Sequence, residues 1–399
     1  MKLLNAERAR GYMTDLGLDA LVATTVENLA YFAEFTARTL HGWKDSLAFA
    51  VLPREDLAAA TLLLPIVNAP EALDRPSWIK DVRFYGSFGI ALPDGTARGF
   101  DRALAEVVKE PGQYANGVEA LVSLVKERGW RKIGIDEMRI SPVVWQQVAD
   151  GLTGVELVPA YDTIKRIRTV KTPEEIDRLH RSVTIAEAGI KRSMDCARVG
   201  MTEADLLDTY LETIGREGAV PGCFYVNAGT RSGAALLASS PDYILKPGDC
   251  LKYDVGCVKD FYWSDTARTA VMGRPSAKLT LYYNAMREGQ QALIEAIRPG
   301  VKASALFDLA VNTIRKAGIP HFQRPHCGHG IGLEFYDHPS IRPAATPALD
   351  PAIEEGMVIN IECPYYEIGF AGIQLEDTIV VTGTGVRYLT RLDRDMREL

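Results

Sequence analysis

Five residues in the last third of the chain, Asp254, Asp265, His329, Glu362 and Glu376, each sit inside a short, strand-like and otherwise apolar segment. Four carboxylates brought into one core repel one another, and an unpaired buried charge is very costly, so cations are the natural compensation. The set therefore reads as a site for two divalent metal ions. Carboxylates with a single imidazole suit hard or borderline ions, manganese first, with cobalt, iron or zinc also accommodated. Such a pair activates water and polarises a carbonyl, and an adjacent acid, here Glu362, can take the proton of the water and return it to a leaving amine.

These residues need strands that aim them at one place. In LKYDVGCV, alternation puts Leu251, Tyr253 and Val255 on one face and Lys252, Asp254 and Gly256 on the other. Asp265 follows in WSDTARTAV, and a turn near Lys259-Asp260 predicts a hairpin that joins the two acids. MVINIEC sets Glu362 on the face of Val358 and Asn360, and IQLEDTIVV sets Glu376 beside Gln374 and Thr378. His329 lies in GHGIGL, whose glycines let the backbone come close to a site.

The whole chain has 399 residues, 47% hydrophobic and 24% charged, which exceeds what one core usually supports and predicts two domains. A net charge of −7 with scattered basic residues argues against nucleic-acid or anionic-membrane partners. The six cysteines form no CxxC pair, which suits a reducing cytoplasm. The N-terminal MKLLNAERARGYM lacks the apolar core of a signal peptide, so the expectation is a soluble, unprocessed protein.

Apolar runs at 20–24, 46–52, 61–67 and 132–137 alternate with helical stretches, an α/β pattern for residues 1–164. The second domain, 165–399, opens with a basic linker, KRIRTVK. A long helix then starts with the capping Thr172, Pro173 and Glu175, and carries an apolar stripe of Ile176, Leu179, Val183, Ala186 and Ile190. Within it RVGMTEADLLDTYLETIGREG, from Arg198, lines up with RPGVKASALFDLAVNTIRKAG, from Arg298. A duplicated, pseudo-symmetric domain is one reading and two unrelated helices with similar caps the other. A duplication puts a ligand site between its halves.

The segments DVGCVKDFYWSDTARTA, GHGIGL, GMVINIE and LEDT resemble the catalytic segments of the prolidase, aminopeptidase P, methionine aminopeptidase and creatinase family. NLAYFAEF and its surroundings are similar to that family's creatinase-type first domain, and IRTVKTPEEIDRLHRS to its entry into the "pita-bread" catalytic domain. The resemblance implies an α/β N-terminal domain plus a pseudo-symmetric α+β catalytic domain. It implies five metal ligands at Asp254, Asp265, His329, Glu362 and Glu376, with Asp265 and Glu376 bridging, and a homodimer.

Several other polar positions depart from the peptidase pattern. Family histidines are replaced by Leu237, Pro325 and Tyr336, and a family arginine by Gln374. Lost donors weaken transition-state stabilisation, so ordinary dipeptidase activity is in question. Candidate replacements are His326 and Gln374 for substrate binding and Tyr336, Tyr366 and His338 beside Glu362 for catalysis. Tyr366 matches a tyrosine that aminopeptidase P relatives use in proton transfer. His326 and His338 also read as solvated loop residues, and Cys363 as a small buried one. The function implied is a dinuclear-metal hydrolase of a C–N bond in a dipeptide of the Xaa-Pro type. The alternatives are a non-peptide amidohydrolase of the creatinase or ectoine-hydrolase type, a metal-dependent lyase, and an inactive binding protein.

Overall fold

The computed structural model describes residues 2–43, 46–91, 98–109 and 112–399, with Ala348 described in its backbone alone. The chain divides into two compact units, Met1–Arg168 and Thr169–Leu399.

The first unit is built on a six-stranded mixed sheet: Ala20–Ala23 (β1), Phe49–Pro53 (β2), Thr61–Pro65 (β3), Asp81–Tyr85 (β4), Lys132–Ile135 (β5) and Glu156–Pro159 (β6), in the order β4-β3-β2-β1-β5-β6. Every residue of β1 and β2 is buried, as in a central strand covered on both faces. The strands that the apolar pattern misses, β4 and β6, are the two sheet edges, and their DVRFY and ELVP segments are largely half-exposed. The basic run at 165–171 corrects the linker reading. Residues Tyr161–Arg168 are helical with Ile164, Ile167 and Arg168 buried, and Arg168 Nη1 donates to Asn28 Oδ1 at 2.6 Å. Lys171 is buried as well and pairs with Asp337 at 3.1 Å.

The second unit carries Val220–Ala228 (β7), Cys250–Lys259 (β8), Tyr262–Trp263 (β9), Thr266–Val271 (β10), Gly328–Gly330 (β11), Asp337–Ser340 (β12), Val358–Glu362 (β13), Tyr365–Tyr366 (β14), Gly372–Ile373 (β15) and Glu376–Thr382 (β16). Its main sheet runs β12-β11-β13-β16-β10-β8-β7. Thr172 caps the helix Pro173–Cys196 in a capping box with Glu175. Ile176 is only half-buried, and Glu175 takes a buried place because its carboxylate closes that box and accepts from Tyr262 Oη at 3.1 Å.

The two halves of this unit mirror each other. Helices Pro173–Cys196 and Glu203–Arg216 pack with Leu251, Tyr253 and Val255 of β8, each fully buried, a contribution of about 1.5–3 kcal/mol for a large apolar side chain. Helices Ala277–Ala296 and Ala303–Ala317 pack with Ile359, Ile361 and Ile379. The repeat extends beyond the aligned segments. Gly189 leaves room for Tyr210 and Ile214, and Gly289, one hundred residues on, leaves room for Ile314 and Ala310: a Cβ added at either would fall 2.6 and 2.2 Å from its nearest neighbour. The isolated bridges Thr202↔Ile244 and Lys302↔Ala352 sit at matching places. The halves meet where β10 pairs β16.

Candidate metal centre

At that seam one line of paired residues crosses the sheet: Tyr225↔Asp254 on β7 and β8, Asp254↔Ala267 on β10, Ala267↔Glu376 on β16, Glu376↔Glu362 on β13. Directly paired residues share a face, so Asp254, Glu376 and Glu362 project to the same side. The hairpin from β8 turns at Asp260 and Phe261, both with positive φ, as a two-residue turn between twisted strands requires. It returns Asp265 to a place one residue before β10, on the face of Ala267. His329 enters from β11, paired to Asn360 of β13. Gly330 is needed there, because a Cβ on it would lie 2.1 Å from the carbonyl of His338.

All five side chains are at most 7% exposed. Burial, and next the carboxylate of Asp265, push Asp254 up to about 7. Burial likewise raises Glu362 and Glu376, the latter further through Asp265, Glu362 and Asp254. Such values mean that the fold assembles negative charge without enough positive charge of its own to balance it. His329 Nδ1 lies 2.9 Å from the Gly330 carbonyl, which can only accept, so Nδ1 carries a proton and Nε2 is the nitrogen turned towards the acids. Nε2 is 3.6 Å from Asp265 Oδ2, beyond hydrogen-bond length.

The residues fit a metal on their own geometry. Buried His329 Nε2 and Glu376 Oε2 have no hydrogen-bond partner among the described residues, and both belong to the cluster where a cation would meet them. Ligand atoms of Asp265, His329 and Glu376 lie within 4.8 Å of one another, as do those of Cys223, Asp254 and Asp265. Asp265 belongs to both groups.

The remaining candidates are arranged around Glu362. His326 Nδ1 is 3.3 Å from Glu362 Oε1, and Arg324 Nη2 is 3.6 Å from Glu362 Oε2. Burial, then Arg324 and His329, push His326 down to about 4, so it stands neutral beside the acid. The Tyr336 ring lies 4.2 Å from that of His329 and is half-exposed. Tyr366 Oη donates to Gln374 Oε1 at 3.0 Å, and Gln374 also favours the charged form of Asp254. His338 lies on β12, where its carbonyl packs over Gly330. Of the positions that replace family histidines, Leu237 is half-buried and Pro325 lines a cavity of about 720 Å³ with Arg324, Tyr365, Tyr366, His321 and Lys278. Cys363 is buried against Cys327.

Sequence reading passed over three site residues. Arg324 lies over the Tyr366 ring at 5.5 Å, and Lys252, fully buried with Nζ donating to the Ala235 carbonyl, lies over the same ring at 5.1 Å. Lys252 was readable from its place on the face of Asp254. Cys223, the third, donates to Asp265 Oδ1 at 3.3 Å. No helix among the described residues is long and apolar enough to cross a membrane.

Comparison with known proteins agrees with this geometry. Residues 6–170 match the Creatinase/Prolidase N-terminal domain and residues 177–383 match Metallopeptidase family M24. The Xaa-Pro dipeptidase of Lactobacillus helveticus is 36% identical over 239 residues, a match that covers 59% of this chain and 63% of that relative. The uncharacterised peptidase YqhT of Bacillus subtilis is 23% identical over 398 residues, covering 98% of this chain and 99% of its own. In fold, the Xaa-Pro dipeptidase from Bacillus anthracis superposes with a TM-score of 0.81 at 22% identity over 99% of both chains. With a catalytic-domain match spanning more than half of its length and the acid line at its centre, this chain belongs to metallopeptidase family M24.

Proposed function

We propose that the protein hydrolyses the amide bond of small dipeptides of the Xaa-Pro type, using two divalent cations, manganese for preference. The observation that carries this reading is the line of buried acids at the seam, with Asp265 common to two groups of donor atoms. Asp254, Asp265, His329, Glu362 and Glu376 would hold the ions. When bound, they supply Lewis acidity, which activates water and polarises a carbonyl.

The chain's own groups do the rest. Glu362 accepts the proton of the attacking water at a carboxylate oxygen and returns it to the departing nitrogen. His326 and Arg324 flank its two oxygens, Arg324 as an ion pair. Tyr336, beside His329, is placed to donate a hydrogen bond to the substrate carbonyl or the oxyanion, and Tyr366 does so when its proton turns from Gln374 to the substrate. His338, two residues beyond Tyr336, flanks them. The cavity of about 720 Å³ that reaches Arg324 and Tyr366 is of a size for a dipeptide. Names among the relatives favour a peptide over a non-peptide amide, a lyase substrate or a binding role. A homodimer in the cytoplasm is the setting that the family resemblance and the composition support.

The test is proline release from a panel of Xaa-Pro dipeptides beside their non-proline counterparts, each assayed with manganese and with chelator. The expected result is chelator-sensitive proline release. Hydrolysis of a non-peptide amide with no proline released from any dipeptide would overturn the substrate assignment. Replacing Tyr336 by Phe should lower kcat by roughly 100- to 1,000-fold with metal content unchanged, the range for loss of one oxyanion donor. Unchanged kinetics would remove Tyr336 from the mechanism.

A further inference from the structure

The acid cluster contains a sulfur that the reaction outlined above does not use. Strands β7 and β8 pair in register from Ala228↔Leu251 to Phe224↔Val255, and again at Pro221↔Cys257 and Val220↔Val258. Three steps on β7, from Pro221 to Phe224, are matched by two on β8, from Cys257 to Val255, so one extra residue bulges out. Gly222 and Cys223 therefore share the place opposite Gly256, and a bulge of this kind re-aims a side chain. Gly256 completes the arrangement: a Cβ there would fall 1.9 Å from the Ser264 carbonyl and 3.2 Å from Cys223 Sγ. With no side chain at 256, the sulfur settles beside Asp254 and Asp265, its Sγ within 4.8 Å of a carboxylate oxygen of each.

Asp265 thus stands between unlike donor sets. On one side are His329 and Glu376, each with a buried ligand atom that has no hydrogen-bond partner among the described residues. On the other are Asp254 and the sulfur of Cys223. We propose that Cys223 Sγ is a ligand of the cation held by Asp254 and Asp265, so that this position is softer than its neighbour. The inference rests on the reading of the site as a metal centre. As the metal–sulfur bond forms, the S–H bond of Cys223 breaks, its hydrogen bond to Asp265 is lost and the proton passes to solvent, with no change of oxidation state. Thiolate favours zinc, cobalt, iron and cadmium over manganese, whereas the His329 and Glu376 side keeps only oxygen and nitrogen donors. The two positions would then differ in which metal they retain, and the enzyme would run as a mixed centre when both kinds of ion are present.

Electronic absorption of the full-length protein loaded with cobalt(II) tests this, read beside elemental analysis of the same sample. The expected result is an intense near-ultraviolet thiolate-to-cobalt band that disappears in Cys223→Ser while cobalt is still bound. The same variant should lose roughly 100-fold of its preference for cadmium over manganese in competitive titration. Cobalt bound to the unmodified protein without that band overturns the thiolate ligand and leaves the hydrolase reading standing. So does a band that persists in Cys223→Ser, because it would belong to another of the six cysteines. Failure of the unmodified protein to hold cobalt at all would overturn the metal centre and this inference together.

Discussion

Replacing Asp265 by Ala should abolish turnover, by on the order of 10⁴-fold or about 5.5 kcal/mol of barrier. Asp265 is the one carboxylate common to both groups of donor atoms, so its loss weakens both metal positions at once. The surrounding backbone should survive. The Asp265 carbonyl is held by Asn360 Nδ2 at 3.1 Å and Thr378 Oγ1 at 3.4 Å, contacts that the substitution leaves in place. In the metal-free protein the change also removes a charge that raises Asp254 and Glu376, which relieves the repulsion among the acids. The expected pattern is therefore an inactive, metal-poor and folded variant. Activity within tenfold of the unmodified enzyme would contradict the role given to Asp265.

Stability should fall with rising pH in the metal-free protein and stay nearly level in the metal-loaded one. In the metal-free fold burial raises Asp254 to about 7 from 3.8 and also raises Glu362 and Glu376. A carboxyl raised in the folded state binds its proton more tightly there than in the unfolded chain. Its contribution is complete below the unfolded value near 4 and is lost as pH climbs through about 7. Metal-free protein should accordingly lose stability between about pH 5 and 8, on the order of 3 kcal/mol for Asp254 alone. Metal binding needs the same groups deprotonated, so the stabilisation on adding manganese should grow with pH. Urea midpoints at both ends of the range, with chelator and with manganese, check this. A metal-free midpoint that rises from pH 5 to 8 would be the wrong sign.

The convergence of the five candidate side chains was legible because four of them sit in strands and Asp265 lies one residue ahead of one. Leu251, Tyr253 and Val255 go to the core, which leaves Asp254 no choice of face. The register line from Asp254 to Glu362 shows why acids more than one hundred residues apart in sequence converge. What stayed hidden depends on features without a period. The Cys223 position follows from a bulge, for which the only local sign is Pro221-Gly222 inside a strand, residues that mark bulges and edges. Arg324 reaches Glu362 from a loop on a long flexible side chain, which no spacing rule captures. Edge strands β4 and β6 escaped because half-exposed strands carry no apolar run. Lys171 read as part of a basic linker since its buried partner, Asp337, lies far along the chain. The repeat was stronger than its sequence alignment, because Gly189 and Gly289 serve the same helix contact with different partners, an aromatic ring in one half and an isoleucine in the other.

The most direct measurement is elemental mass spectrometry of the purified protein taken through chelation and manganese reconstitution, with hydrolysis of an Xaa-Pro dipeptide followed on the same samples. About two divalent ions per chain, with hydrolysis lost on chelation and regained in step with metal content, is the predicted result for a two-ion centre. Full hydrolysis by protein that carries no metal, or an acid cluster that takes up none under any loading condition, would contradict the account.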